Sequence, residues 1–275
     1  RGVLLKKKAT AYYLDIQPTD NCPCVCTKCF NYRQDENGKG YLLKRSCPND
    51  KSKPAFEDFR RVFREAIDGG LESISTTGGG EPLTFKYLPE LFADAVAHAK
   101  KRGIKLRTFI PTSGLGLIYN NDEKLKLLLQ NIGLLRFSFD SFDKDFVMKN
   151  HGISEKMYYQ MRANFEKVVR IKREMDLPVD IEVLVLMYGD NYKNAERTVE
   201  MAKELGATRV LFNSITANDD VSMTEEEERK TAEVIRRIYE RMGRGDFSPM
   251  NIDFDPVLLG GYADIGSIDK GNMER

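Results

Sequence analysis

Histidine, long apolar runs and net charge are all scarce in this chain of 275 residues. Only His98 and His151 are present. Neither lies in a His-Glu-x-x-His helix motif, and there is no Gly-x-Ser-x-Gly elbow. That scarcity disfavours zinc-dependent hydrolysis and acyl transfer through a serine. His98 reads as surface or packing on a helix, and His151 as part of the turn before one. No apolar stretch approaches the roughly 18 residues that span a bilayer. The stretch Arg1 to Lys8 is charged and lacks an apolar centre, so no signal peptide is read there, and the expected compartment is the cytoplasm. Forty-three basic residues stand against 42 acidic ones, a net charge of +1, which argues against a nucleic-acid partner. The lysines at 6 to 8 and the basic residues from Lys39 to Lys53 read as a solvated face.

The remaining pattern is a run of strand-length and helix-length segments. Short apolar strands are expected at 11–17, 71–76, 105–111, 134–139, 180–187 and 209–213. Helices are expected at about 54–68, 87–102, 122–131, 155–175, 192–205 and 225–242. Ser154 is a cap for the fourth helix, and Thr224 with Glu227 forms a capping box for the last. Strands alternating with helices imply right-handed crossovers and a parallel sheet. The fold class expected is α/β: a partial (β/α)6 TIM-like barrel with a mainly parallel curved sheet. An open doubly wound sheet is the runner-up. Residues 1–245 are expected to form the barrel. The long polar loop at 31–53 is a candidate lid, and 246–275 an extension over the barrel edge with one short strand at 251–254.

The five cysteines break the uniformity, because four of them fall within eight residues: Cys22, Cys24, Cys26 and Cys29. An odd total so crowded is a poor disulfide framework and reads first as metal binding. Cys22, Cys26 and Cys29 form C-x3-C-x2-C after the first strand. Three thiolates on one loop can hold three irons of a four-iron cluster and leave the fourth open for chemistry. A structural zinc site instead pairs ligands across a longer segment. Cys24 is expected to face away from the cluster. Cys47, in the polar loop, is expected to be a free thiol; the minority role for either is hydrogen-atom donor to a substrate radical.

Gly78-Gly79-Gly80-Glu81-Pro82 follows the second strand. It is not a phosphate loop: the spacing differs, a carboxylate repels phosphate, and Pro82 removes a backbone donor. A carboxylate beside close-approaching backbone suits an ammonium, such as the amino group of S-adenosylmethionine.

Together the two motifs resemble the radical S-adenosylmethionine (radical SAM) superfamily. Cys22, Cys26 and Cys29 match its cluster motif, and Gly79 to Pro82 its GGEP motif. One departure is Lys28, where the family commonly has an aromatic residue; Phe30 lies just after the last cysteine. The resemblance implies a [4Fe–4S] cluster and S-adenosyl-L-methionine, cleaved reductively to a 5′-deoxyadenosyl radical that takes a hydrogen atom from substrate. It also implies cofactor contacts from Thr112 and Ser113 after the third strand, from Ser138 on the fourth, and from Asn191 after the fifth. Asp140 is expected to face the ribose or the substrate, with a catalytic role. The partners implied are a small-molecule or peptide substrate and an electron donor such as flavodoxin or ferredoxin. A glycyl-radical activating enzyme and a non-catalytic iron–sulfur protein are the rival readings.

Overall fold

The computed structural model describes residues 11–42, 53–77, 79–215, 223–255 and 258. Seven strands form one sheet: β1 (Tyr13–Asp15), β4 (Ser73–Ser75), β5 (Arg107–Thr112), β6 (Leu134–Ser138), β7 (Asp180–Met187), β8 (Arg209–Ser214) and β9 (Asn251–Phe254). They lie side by side in chain order, and every pair is parallel. A doubly wound sheet reverses its strand order at a switch point. This one never does, which excludes the runner-up and leaves the partial barrel. The sequence reading counted six strand–helix units; β9 adds a seventh strand, because the chain returns parallel to β8 after α7.

The crossovers are α1 (Lys53–Asp68), α2 (Leu88–Lys101), α3 (Asp122–Gln130), α4 (Lys144–His151) with α5 (Glu155–Glu174), α6 (Ala195–Leu205) and α7 (Glu225–Gly243). One-handed crossovers in sequential order put helices on a single face, and successive helices touch: α1 with α2, α2 with α3, α3 with α5, and α6 with α7. The strands read that asymmetry residue by residue. Ile74, Ile110, Leu135, Phe137, Val183, Val185, Val210 and Phe212 point at the helices and are fully buried. The alternate positions, Phe109, Arg136, Leu184 and Leu211, line the concave face and are only half-buried.

Local chemistry sets the helix ends. The side chains of Asn121, Asp143, Ser154 and Thr224 each accept from a backbone N–H of the first turn. The capping box of Thr224 and Glu227 is complete. Helix α4 was not read from the sequence. Its signals were there: Asp143 as N-cap, and Gly152 beyond its end in the left-handed region at φ 59°. His151 is therefore the last residue of a helix. The start of the polar segment 31–53 is also ordered as an antiparallel hairpin, β2 (Tyr32–Gln34) with β3 (Gly40–Leu42). Cys47 and Gly78 lie outside the described residues. Among the described residues no helix is long and apolar enough to cross a membrane.

Candidate active site

The carboxyl ends of β1, β4, β5 and β6 enclose a cavity of about 290 Å³. Cys22, Cys26 and Cys29 line it, and so does Cys24, which the sequence reading turned away from the cluster. All four are free thiols. The loop that carries them is clamped from an unexpected direction. The N–H groups of Val25 and Thr27 donate to the carbonyls of His151 and Asn150, at 2.9 and 3.0 Å. Those carbonyls belong to the last turn of α4, which a helix leaves without internal partners. Contact is so close that a Cβ on Gly152 would sit 2.6 Å from the Val25 carbonyl oxygen.

The glycine turn closes the opposite wall. Gly79, Gly80, Glu81 and Pro82 line the cavity, joined by Thr112 and Ser113 from the end of β5 and by Ser138 from β6. Gly80 is where the turn meets the start of the cysteine loop. A Cβ there would lie 2.5 Å from the Asn21 carbonyl oxygen and 2.7 Å from the Asp20 carbonyl carbon. Both are backbone atoms, and the Glu81 N–H to Asn21 carbonyl bond of 2.7 Å holds them in place. Gly80→Ala is expected to cost about 1–3 kcal/mol as overpacking strain, read as a lower urea midpoint at unchanged slope.

Glu81 is buried, and donors of the chain itself surround its carboxylate. One oxygen accepts from Thr112 Oγ1 at 2.7 Å and Leu83 N–H at 3.1 Å; the other accepts from Ser113 N–H at 2.5 Å and Ser113 Oγ at 2.6 Å. That fills its four lone-pair positions. Burial still pushes the carboxyl above its ordinary value, against those four bonds. In this arrangement Glu81 locks the glycine turn to the end of β5.

Asp140 and Asn191 are brought close to the site but do not line the cavity. Asp140, at φ 59°, is buried at the end of β6. Asn191 spends its amide on the loop after β7, donating to Leu186 O at 2.6 Å and accepting from Tyr188 N–H at 3.2 Å.

Sequence reasoning passed over two residues that do line the cavity, His151 and Thr76. The signal for His151 was the pair of caps around α4, which turns a supposed loop residue into one on a helix end. Burial and the Lys28 charge hold the His151 pKa down at about 4, so the ring is neutral. Its Nδ1 and the Thr76 hydroxyl are buried with no hydrogen-bond partner among the described residues. Such orphaned polar atoms in a cavity point to a ligand that completes them. The thiols fit an iron–sulfur cluster as well. The Cys24 thiol bonded to Cys26, helped by the Lys28 charge and opposed by burial, draws Cys26 toward the thiolate form a metal requires. Among the described residues no three Cys, His, Asp or Glu side chains converge as on a single ion. A cluster does not need that convergence, because each thiolate takes its own iron.

The family model for the radical SAM superfamily matches residues 16–216. The chain belongs to the radical SAM superfamily. Its enzymes use a [4Fe–4S] cluster and S-adenosylmethionine, and Cys22, Cys26 and Cys29 are the residues here that would hold the cluster. The chain is 28% identical over 193 residues to the PqqA peptide cyclase of Granulibacter bethesdensis, covering 70% of this chain and 44% of that one. It therefore spans less than half the length of that curated relative. Among solved structures, Streptococcus suis SuiB bound to S-adenosylmethionine superposes with a TM-score of 0.66 at 15% identity, over 90% of this chain and 51% of SuiB. The radical SAM protein anSMEcpe with bound AdoMet gives 0.62 at 18%, over 87% of this chain and 61% of that one. These likenesses are of fold.

Proposed function

We propose that this chain cleaves S-adenosylmethionine reductively and uses the resulting radical to modify a peptide. The observation that carries the reading is spatial. Three thiols and the glycine turn, more than fifty residues apart in sequence, line one cavity at the carboxyl ends of parallel strands, where such sheets place their chemistry. The bound cluster would supply the electron, and S-adenosylmethionine the 5′-deoxyadenosyl group that abstracts a hydrogen atom.

The chain's own residues do the holding. Gly79 and Gly80 bring backbone close to the cofactor, Thr112, Ser113 and Ser138 offer hydroxyls to it, and Glu81 keeps that wall rigid. Phe30 and Leu42 line the cavity, so the hairpin of β2 and β3, with the residues that follow to 53, serves as a lid against water. A peptide substrate is supported by the PqqA peptide cyclase relative, and by SuiB, solved with its precursor peptide SuiA. The half-buried concave face offers both apolar and charged groups to an extended chain. A flavodoxin or ferredoxin would supply the electron, in a cytoplasm that keeps the thiols reduced.

The test is anaerobic reconstitution with iron and sulfide, followed by S-adenosylmethionine and a strong reductant. Mass spectrometry then follows 5′-deoxyadenosine with and without a panel of peptides. The expected result is cleavage that a matching peptide stimulates, with a mass change in that peptide. A full cluster and bound S-adenosylmethionine without cleavage, over the whole panel, would sink the activity. Stimulation by small metabolites alone would remove the peptide.

A further inference from the structure

Lys28 lies between Cys26 and Cys29 in sequence and sends its side chain inward, where it lines the cavity with only 8% of it exposed. Its ammonium is ion-paired with the Asp140 carboxylate. It also stands 3.3 Å from His151 Nε2 and 5.2 Å from the centre of the Tyr188 ring. Asp140 is fully buried behind it. Its carboxylate accepts from His151 Nε2 at 2.9 Å, the Leu186 N–H at 3.1 Å and the Tyr188 hydroxyl at 3.4 Å. The His151 tautomer that satisfies Asp140 carries its proton on Nε2. The order outward from the protein is thus anion, cation, cavity: Asp140 does not line the cavity, and Lys28 does.

A buried carboxylate with this many donors is costly to move and holds its partner in one place. The partner is a fixed positive charge on the loop that bears the cluster thiols. Charges interact more strongly here than in water because the surroundings polarise poorly. Net charge and hydrogen bonding around an iron–sulfur cluster set the ease of its reduction. Reduction adds one electron from the external reductant and so one negative charge to the cluster; no bond at Lys28 forms or breaks.

We propose that Lys28 is a positioning charge, pinned by Asp140 and His151, that favours the reduced state of the cluster held by Cys22, Cys26 and Cys29. The proposal rests on the reading that those three thiols hold the cluster.

The test is a redox titration of the reconstituted protein, with the reduced cluster followed by electron paramagnetic resonance. Lys28→Met is expected to lower the reduced-to-oxidised ratio at a fixed potential about tenfold, which is about 59 mV for a one-electron couple. Lys28→Arg keeps the charge and is expected to stay near the wild type. Asp140→Asn removes the counter-charge and is expected to move the ratio the other way. If Met and Arg shift alike, if Met leaves the ratio unchanged, or if Asn shifts in the same direction as Met, the proposal is overturned. Should the Met variant hold no cluster, the Arg and Asn variants decide by the same signs: an Arg shift downward or an Asn shift absent or downward defeats the proposal. Failure of the underlying reading is seen separately, as wild-type protein that takes up no four-iron cluster by iron and sulfide content before any titration begins.

Discussion

Cys26→Ala is expected to bring 5′-deoxyadenosine formation below detection, while Cys24→Ala leaves it largely intact. Both thiols line the same cavity, two residues apart, so proximity does not separate them. Charge and spacing do. Cys26 is drawn toward the thiolate by the Cys24 thiol bonded to it and by the Lys28 charge, against burial. Cys24 is pushed well above the ordinary thiol value by its bonds to Cys22 and Cys26. A metal takes the thiolate, and removing one of three ligands exposes the cluster's second iron to solvent. The measurement pairs product formation with iron and sulfide content. Cys24 is almost fully buried, so its truncation should cost stability of about 1 kcal/mol through lost packing. Equal loss of cluster in both variants would mean that Cys24 is a ligand and the C-x3-C-x2-C assignment is wrong.

The largest loss of stability is expected from Glu182→Ala. Glu182 lies on the concave face, in register with Arg136 of β6 and Arg209 of β8. It is 1% exposed and ion-paired to both, with Arg136 Nε on one oxygen and Arg209 Nε at 3.4 Å from the other. Truncation leaves two guanidinium groups facing each other across the gap. Breaking a buried pair costs about 3–5 kcal/mol; because both arginines are partly exposed, about 2–4 kcal/mol is expected here. Arg209 keeps Asp253 at 2.7 Å, so Arg136 is the group left most exposed to the loss. Adding Arg136→Met should therefore recover part of the stability, and a double-mutant cycle in urea measures how much. Additive losses would mean that the two side chains do not share an interaction.

How much of this was legible in the sequence depends on the range of the physics involved. The strands and most helices were, because periodicity and caps are local: Ser154 and Thr224 cap the helices they were expected to cap. The cluster motif was legible because its spacing is local too. What escaped was the set of contacts made across the sheet. Nothing near Glu81 in sequence says that Ser113 donates to it twice. Nothing near Lys28 says that Asp140 waits behind it, since the two are joined only when β6 and the first loop meet. Helix α4 was missed because its apolar stripe is short, with only Val147 and His151 buried.

The grip of α4 on the cysteine loop also bears on how the molecule is born. The Thr27 hydroxyl and backbone both reach Asn150, 123 residues later in the chain. At a synthesis rate of about 5–20 residues per second, that distance is roughly 6–25 seconds of translation. Throughout that interval the four thiols have emerged and the helix that shapes their loop has not. Loading with iron and sulfide thus belongs after translation has passed residue 152, and the nascent chain meets oxidants with its most reactive groups unsheltered.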